Sequence, residues 1–181
     1  MRILLIYQLI FFNTFISAQT WYEKQIIPFD AMENDHFGNG IAISDSLLFI
    51  SSLRYSNSAD ASVYVYRFVN NDYIFETKIY PDDPEPLALF GSKVFYKDGQ
   101  LFVGAQNKKL TWFSVGALYI FQYESNSWVQ KQKIFPPEPL SWDGYFSYAI
   151  AKLNETLVVS AHRAHSGAQY SGKVFLSNFI R

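Results

Sequence analysis

The chain has 181 residues, 49% of them hydrophobic, and its 16 acidic and 15 basic residues give a formal net charge of −1. A balance this close to zero provides no electrostatic footprint for nucleic acid, so we expect no nucleic-acid partner. The sequence contains no cysteine, so disulfides are excluded and the fold must be held by its hydrophobic core.

The first eighteen residues have the composition of a secretory signal peptide. Arg2 precedes a largely apolar stretch from Ile3 to Ile16, and the small residues Ser17 and Ala18 follow. The stretch is too short and too interrupted for a membrane span, which needs roughly 20 apolar residues. We therefore predict a signal peptide over residues 1–18, a mature region over 19–181, and a location that is secreted or at the cell surface.

One pattern with fixed internal spacing occurs three times, at offsets of 53 and 56 residues. It begins with an aromatic residue followed by a small one. A branched apolar residue lies four positions after the aromatic residue, and a pair of small residues begins fourteen positions after it. The copies are Phe37-Gly38, Ile41 and Ser51-Ser52; Phe90-Gly91, Val94 and Gly104-Ala105; Phe146-Ser147, Ile150 and Ser160-Ala161. Identical spacing predicts one structural unit built three times, with repeats at about 21–72, 73–127 and 128–181.

Each repeat contains runs of strand-forming residues separated by turns. Two short apolar runs are joined by a tight turn such as Asp98-Gly99, and a loop of about ten residues leads to a third run. The predicted strands are 39–44, 47–50, 62–68 and 73–79; 92–97, 101–103, 117–123 and 128–134; and 147–152, 157–159 and 173–177, with a further outer-strand copy at 21–27.

Hydrophobicity falls from the first two strands of each repeat, through the third, to a half-polar fourth. Four antiparallel strands graded in this way describe a β-propeller blade, so we predict an all-β chain of propeller blades. Aromatic residues are expected to fill the space between blades. The small pairs are expected to leave room where strands of neighbouring blades converge, and Gly38 and Gly91 to allow a tight entry into the first strand. Ser147 replaces this glycine in the third copy.

These motifs resemble the FG-GAP repeat family, which includes the head of integrin alpha subunits. The resemblance rests on the aromatic-glycine openings, a VGA sequence ending at Ala105, and third strands that follow Gly116 and Gly172. It implies a β-propeller that acts in adhesion or protein binding. Many members carry a calcium loop between the first two strands, but the equivalent turns here offer one acidic side chain at best. The chain is therefore similar to a metal-free branch, and we predict no metal and no cofactor.

Catalytic signatures are weak, so we predict that the chain is not an enzyme. No Gly-x-Ser-x-Gly elbow is present, and His162 and His165 lack the further ligands of a zinc site. Acidic residues concentrate in the loops between fourth and first strands, which leaves a secreted hydrolase as an alternative. These acids are Asp30, Glu33, Asp35, Asp82, Asp83, Glu85, Glu138 and Asp143.

The loops between second and third strands carry the candidate binding residues. Up-and-down strand order places them on the same side as the acidic loops, and aromatic and arginine side chains on exposed loops are typical of recognition surfaces. The candidates are Arg54, Tyr55, Trp112, Arg163, His165 and Tyr170. The expected partner is an extracellular protein or a glycan. The alternative is that Trp112 and Tyr170 pack back on their blades.

Three blades fall below the range of about four to eight seen in closed propellers. Three repeats therefore leave three alternatives: a partial propeller from a longer protein, self-association through open blades, or an unusually small ring. Only a few residues follow the third inner trio, so the copy at 21–27 is expected to complete that blade.

Overall fold

The computed structural model describes residues 23–54, 59–137 and 144–178, and within these ranges the chain is entirely β-structure and loops. The predicted signal peptide therefore lies outside the described residues. In the described part of the chain, no helix is long and apolar enough to cross a membrane.

Eleven of the described strands form three antiparallel sheets, one for each repeat. The first sheet, blade 1, contains β1 (Ile41–Ile43), β2 (Leu47–Ser52), β3 (Ser62–Val69) and β4 (Asp72–Ile79). Blade 2 contains β5 (Phe90–Lys97), β6 (Gln100–Ala105), β9 (Ala117–Glu124) and β10 (Ser127–Ile134). Blade 3 contains β11 (Phe146–Leu153), β12 (Thr156–Ala161) and β13 (Lys173–Asn178). The prediction of propeller-type blades is confirmed, and the three described sheets do not close into a ring.

Two elements differ from the sequence prediction. The loop between β6 and β9 forms a small hairpin of its own, β7 (Lys109–Leu110) with β8 (Phe113–Ser114). Residues 23–28 form no strand, so the expected outer strand is absent from this part of 21–27 and does not complete blade 3. Instead Ile26 packs against blade 1, and Lys24 forms an ion pair with Asp72.

The burial gradient also differs in blades 1 and 2, where the second and third strands are the most buried, not the first two. All six residues of β2 are buried, whereas Ile41 and Ile43 of β1 are exposed. Central strands have a neighbouring strand on each side and sheets packed on their faces, while the first strand forms the inner edge of the blade. Apolar sequence alone could not distinguish these positions, since both strands are rich in branched residues.

Two hydrophobic cores lie between consecutive blades. Phe49, Val63 and Val65 of blade 1 share a core with Phe90 and Val94 of blade 2. The opposite side of blade 2 packs on blade 3 in the same way, through a second core that contains Phe102, Leu118, Ile120, Phe146, Ile150 and Leu157. Aromatic rings fill these cores as expected: the Trp128 ring meets Phe49 edge-on, with centroids 5.3 Å apart.

Small residues occupy the closest approaches between blades, as the sequence predicted. A Cβ at Gly91 would lie 2.6 Å from the Cβ of Ser51, and a Cβ at Gly104 would lie 2.8 Å from Ser147 Oγ. Gly91 also has a φ of 92°, and Ser147 adopts the same left-handed region with a φ of 73°. A buried hydrogen bond of 2.8 Å from Ser147 Oγ to the Ala117 carbonyl accompanies this strained conformation.

Candidate binding face

The loops between second and third strands and the acidic loops emerge on one side of the blades, here called the loop face. Arg54 Nε lies 3.0 Å from Asp35 Oδ1 in blade 1. In blade 2, Lys108 Nζ lies 2.7 Å from Asp83 Oδ2 and 3.1 Å from Glu85 Oε2. These ion pairs connect the two kinds of loop, as the strand order predicted.

A cavity of about 360 Å³ opens where the first strands of the three blades come together, and we call it the axial cavity. Its lining is more polar than apolar, and Asn39 Nδ2 donates a 3.1 Å hydrogen bond to the Ser92 carbonyl across it. The lining residues are Asn39, Leu53, Leu89, Ser92, Lys93, Gln106, Tyr148 and Ala149. All three blades therefore contribute to one concave polar surface.

Blade 3 carries an aromatic-cation cluster on its loops. The Arg163 guanidinium lies 5.0 Å from the Tyr145 ring centroid and 4.7 Å from that of Tyr170, and the His165 ring meets Tyr170 edge-on at 5.3 Å. Tyr170 remains 48% exposed. Three of the predicted binding residues, Arg163, His165 and Tyr170, are therefore neighbours in space.

His162 connects this cluster to the axial cavity. Its ring lies 3.9 Å from that of Tyr148, which lines the cavity, and 5.6 Å from that of Tyr145. Burial and then the charge of Arg163 lower the pKa of His162, so its ring is neutral at neutral pH. The spacing of His162 and His165 suggested only a possible metal ligand, and no spacing signal indicated the contact of His162 with Tyr148.

Trp112 stands between β7 and β8 and is 91% exposed. The alternative that it packs back on its blade is therefore wrong. The hairpin's second strand begins directly after Trp112, and the pairing of Leu110 with Phe113 fixes the turn beneath it. The β7–β8 hairpin thus presents an exposed indole on the loop face of blade 2.

Arg54 is placed differently from the other candidates, because its side chain is only 12% exposed. Besides its pair with Asp35, the guanidinium lies 3.6 Å from an Asp30 oxygen and 3.9 Å from an Asp60 oxygen. These contacts hold the first acidic loop against blade 1. Tyr55 lies outside the described residues.

The first two acidic loops share a structural arrangement that was not predicted from the sequence. In blade 1, Asp30 accepts a 2.7 Å hydrogen bond from the Tyr64 hydroxyl and forms an ion pair with Lys78. The equivalent contacts in blade 2 join Asp83 to the Tyr119 hydroxyl at 3.1 Å and to Lys133 Nζ at 2.9 Å. The sequence did contain a signal for this arrangement, because each of its three residues recurs in the next copy. The acid recurs after 53 residues, and its tyrosine and lysine partners both recur after 55.

Electrostatics keep these two carboxylates ionised. Burial alone would raise the pKa of Asp30, but hydrogen bonds from Lys78 and Tyr64 and the Lys78 charge outweigh it and lower the pKa. The pKa of Asp83 is lowered too, because Lys108 and Lys133 outweigh the effect of burial. A glycosidase acid needs a raised pKa, so neither group suits that role. Glu138 and Asp143 lie outside the described residues.

Among the described residues, no group of three or more His, Asp or Glu side chains is placed to hold a metal ion. His162 and His165 instead make the ring contacts given above. The described loop face thus presents aromatic rings, amide groups and carboxylates that are paired with fixed cations.

Comparison with known families identifies a repeat family. Residues 21–66 match the model of the FG-GAP repeat, which spans the first copy of the repeat from Trp21 into β3. This confirms the resemblance drawn from the sequence motifs. No curated protein sequence matches the chain.

Proposed function

We propose that this chain is an exported, non-catalytic β-propeller module that binds an extracellular protein or glycan through the loop face. The observation that carries the proposal is the exposed Trp112 on its hairpin, on the same face as the Arg163–Tyr170 cluster. Exposed Trp, Tyr and Arg side chains on ordered loops are the residues most enriched among interface hot spots.

Preorganisation supports the proposal. Arg163 is held between two tyrosine rings, and Tyr170 is in addition packed against His165. A partner that stacks on these rings would therefore meet side chains that are already ordered, so less conformational entropy is lost on binding. The polar axial cavity beside the cluster adds hydrogen-bonding groups to the same face.

Two further observations support the absence of catalysis and the extracellular location. FG-GAP repeats are generally non-catalytic and typically occur in extracellular proteins, and residues 21–66 match such a repeat. Two of the acids that would serve a hydrolase, Asp30 and Asp83, are tied to lysine and tyrosine partners in blades 1 and 2. No observation on the described residues favours hydrolysis.

Binding is tested by screening the purified protein on arrays of extracellular proteins and glycans and then measuring affinity for each hit. We expect Trp112→Ala and Tyr170→Ala each to weaken binding about tenfold or more, as for residues at an interface hot spot. The matched control is Tyr123→Ala, because Tyr123 is 42% exposed but lies near the far end of β9, away from the loop face. Unchanged affinity in a Trp112→Ala, Tyr170→Ala double variant would refute the proposed face.

Export is tested separately, by expressing the full chain in a secreting host and sequencing the N-terminus of the protein in the medium. Cleavage after Ala18 gives Gln19 as the first residue. Retention of the uncleaved chain in the cell would contradict export without bearing on the loop face.

A further inference from the structure

The two ends of the blade array expose surfaces that are buried wherever blades meet inside the chain. Val174 and Leu176 of β13 are 60% and 71% exposed. Their counterparts in blade 1, Val63 and Val65, are both 0% exposed because blade 2 covers them. We call the side of blade 3 that carries Val174 and Leu176 the trailing face.

Blade 1 likewise exposes a surface that is buried in the other two blades. Ile41 of β1 is 59% exposed, whereas its counterparts Val94 and Ile150 are 4% and 8% exposed against the preceding blade. A Cβ at Gly38 would meet no atom within 4 Å, although the equivalent Gly91 is in tight contact with Ser51. We call this side of blade 1 the leading face.

From these two faces we infer that two copies of this chain associate, the trailing face of each packing on the leading face of the other. The internal contacts between blades provide the template. Each joins one serine and one glycine, Ser51 with Gly91 and then Gly104 with Ser147. Ser160 on the trailing face and Gly38 on the leading face are the equivalent serine and glycine, placed on blade 3 and blade 1.

The leading face is open mainly at its inner side. Its outer side is already covered, since Leu48, Ile50 and Tyr64 are buried in a cluster that Ile26 and Phe37 pack against. The partner's trailing face therefore contacts β1 and the exposed apolar residues of the covering segment. These are Ile27, Phe29 and Met32, which are 63% to 72% exposed.

The number of blades favours two copies. The described part of each chain carries one leading and one trailing face, so a pair of copies satisfies both faces of both copies by two-fold symmetry. The described blades of the two copies number six, within the range of about four to eight for closed propellers. Within the described residues both apolar faces are exposed, a condition typical of surfaces that pair.

The test is the mass of the purified chain in solution, measured by light scattering and sedimentation over a range of concentrations. We expect the mass of two chains. Ile41→Lys and Leu176→Lys place a charge on the leading and the trailing face, respectively, and each is expected to give monomers. Leu110→Lys is the control, because Leu110 is 43% exposed but lies on the β7–β8 hairpin, away from both faces.

Mixing the two monomeric variants distinguishes this arrangement from any contact between identical faces. The Ile41→Lys chain keeps its trailing face and the Leu176→Lys chain keeps its leading face, so their equimolar mixture restores one of two contacts and forms a weaker pair. Circular dichroism of each variant verifies that the blades are folded. A monomeric unmodified chain, a ladder of larger species, or a mixture that stays monomeric would each overturn the inference.

Discussion

Gly104 of β6 lies directly against Ser147 of β11, and a Cβ at position 104 would stand 2.8 Å from Ser147 Oγ and 2.9 Å from the Ser147 carbonyl oxygen. The contact between blades 1 and 2 is arranged in reverse, with Ser51 on the second strand and Gly91 on the first strand of the next blade. Each contact has space for one small side chain. In the second contact the two residue types are exchanged. The first strand carries Ser147 where blade 2 has Gly91, and the second strand carries Gly104 where blade 1 has Ser51.

Gly104→Ala is expected to lower the free energy of unfolding by about 1–3 kcal/mol, because the added methyl group overpacks the contact between blades 2 and 3. In a Ser147→Gly background the cost of Gly104→Ala should be smaller, since the side chain that it meets is gone while the carbonyl remains. Urea denaturation of the four members of this double-mutant cycle measures the coupling. Equal costs in both backgrounds would show that the two residues do not compete for space.

Asp83→Asn is expected to weaken the acid dependence of stability. The pKa of Asp83 is lowered in the folded chain, so its ionised form stabilises the fold at neutral pH. This stabilisation is lost as the pH falls through the ordinary value of 3.8 toward the folded pKa. Thermal melts between about pH 6 and 3 measure the slope.

The control for that experiment is Asp82→Asn, which removes the same charge from the neighbouring exposed position. It should retain the acid dependence of the unmodified protein. An Asp83→Asn variant with an unchanged slope would contradict the stabilising role of the contacts with Lys108, Lys133 and Tyr119.

Arg54→Met is expected to destabilise the protein by about 3 kcal/mol, because Asp35, 5% exposed, would be left buried without its cation. Arg67→Met is a matched control: it breaks a 2.8 Å pair with Glu76 in which Arg67 is 41% exposed. Solvent screens that pair, so the loss should stay below about 1 kcal/mol. Equal losses in denaturant melts would indicate that Arg54 does not clamp the acidic loop.

The two described tryptophans should respond oppositely to truncation. Trp112→Ala is expected to leave stability within about 0.5 kcal/mol, since the indole is 91% exposed. Trp128→Ala should cost about 3 kcal/mol, because its ring fills the space beside Phe49 and Tyr96 between blades 1 and 2. Urea denaturation followed by circular dichroism measures both, and a large loss in Trp112→Ala would mean that the hairpin packs on its blade.

Most strand positions could be predicted from the sequence because hydrophobic alternation and turn residues act locally. The predicted strand at 117–123 corresponds to β9 at Ala117–Glu124, and that at 73–79 to β4 at Asp72–Ile79. The β7–β8 hairpin was missed because it consists of two-residue strands, too short for any periodicity. The prediction of an outer strand at 21–27 was wrong over residues 23–27. These residues resemble the other outer strands in composition, but composition does not supply a neighbouring strand with which they could pair.

The sequence by itself determined the repeat, its strand content and the small residues that the blade contacts require, since these follow from spacing and side-chain size. Only the tertiary structure decided which charged residues form ion pairs within the fold and which candidate binding residues are exposed. Arg54, Asp30 and Asp83 have their charges balanced by residues 19 to 50 positions away, whereas Trp112 and Tyr170 remain exposed to solvent. Charge pairing and exposure depend on distances between loops and strands that are far apart in the sequence, which no local pattern specifies.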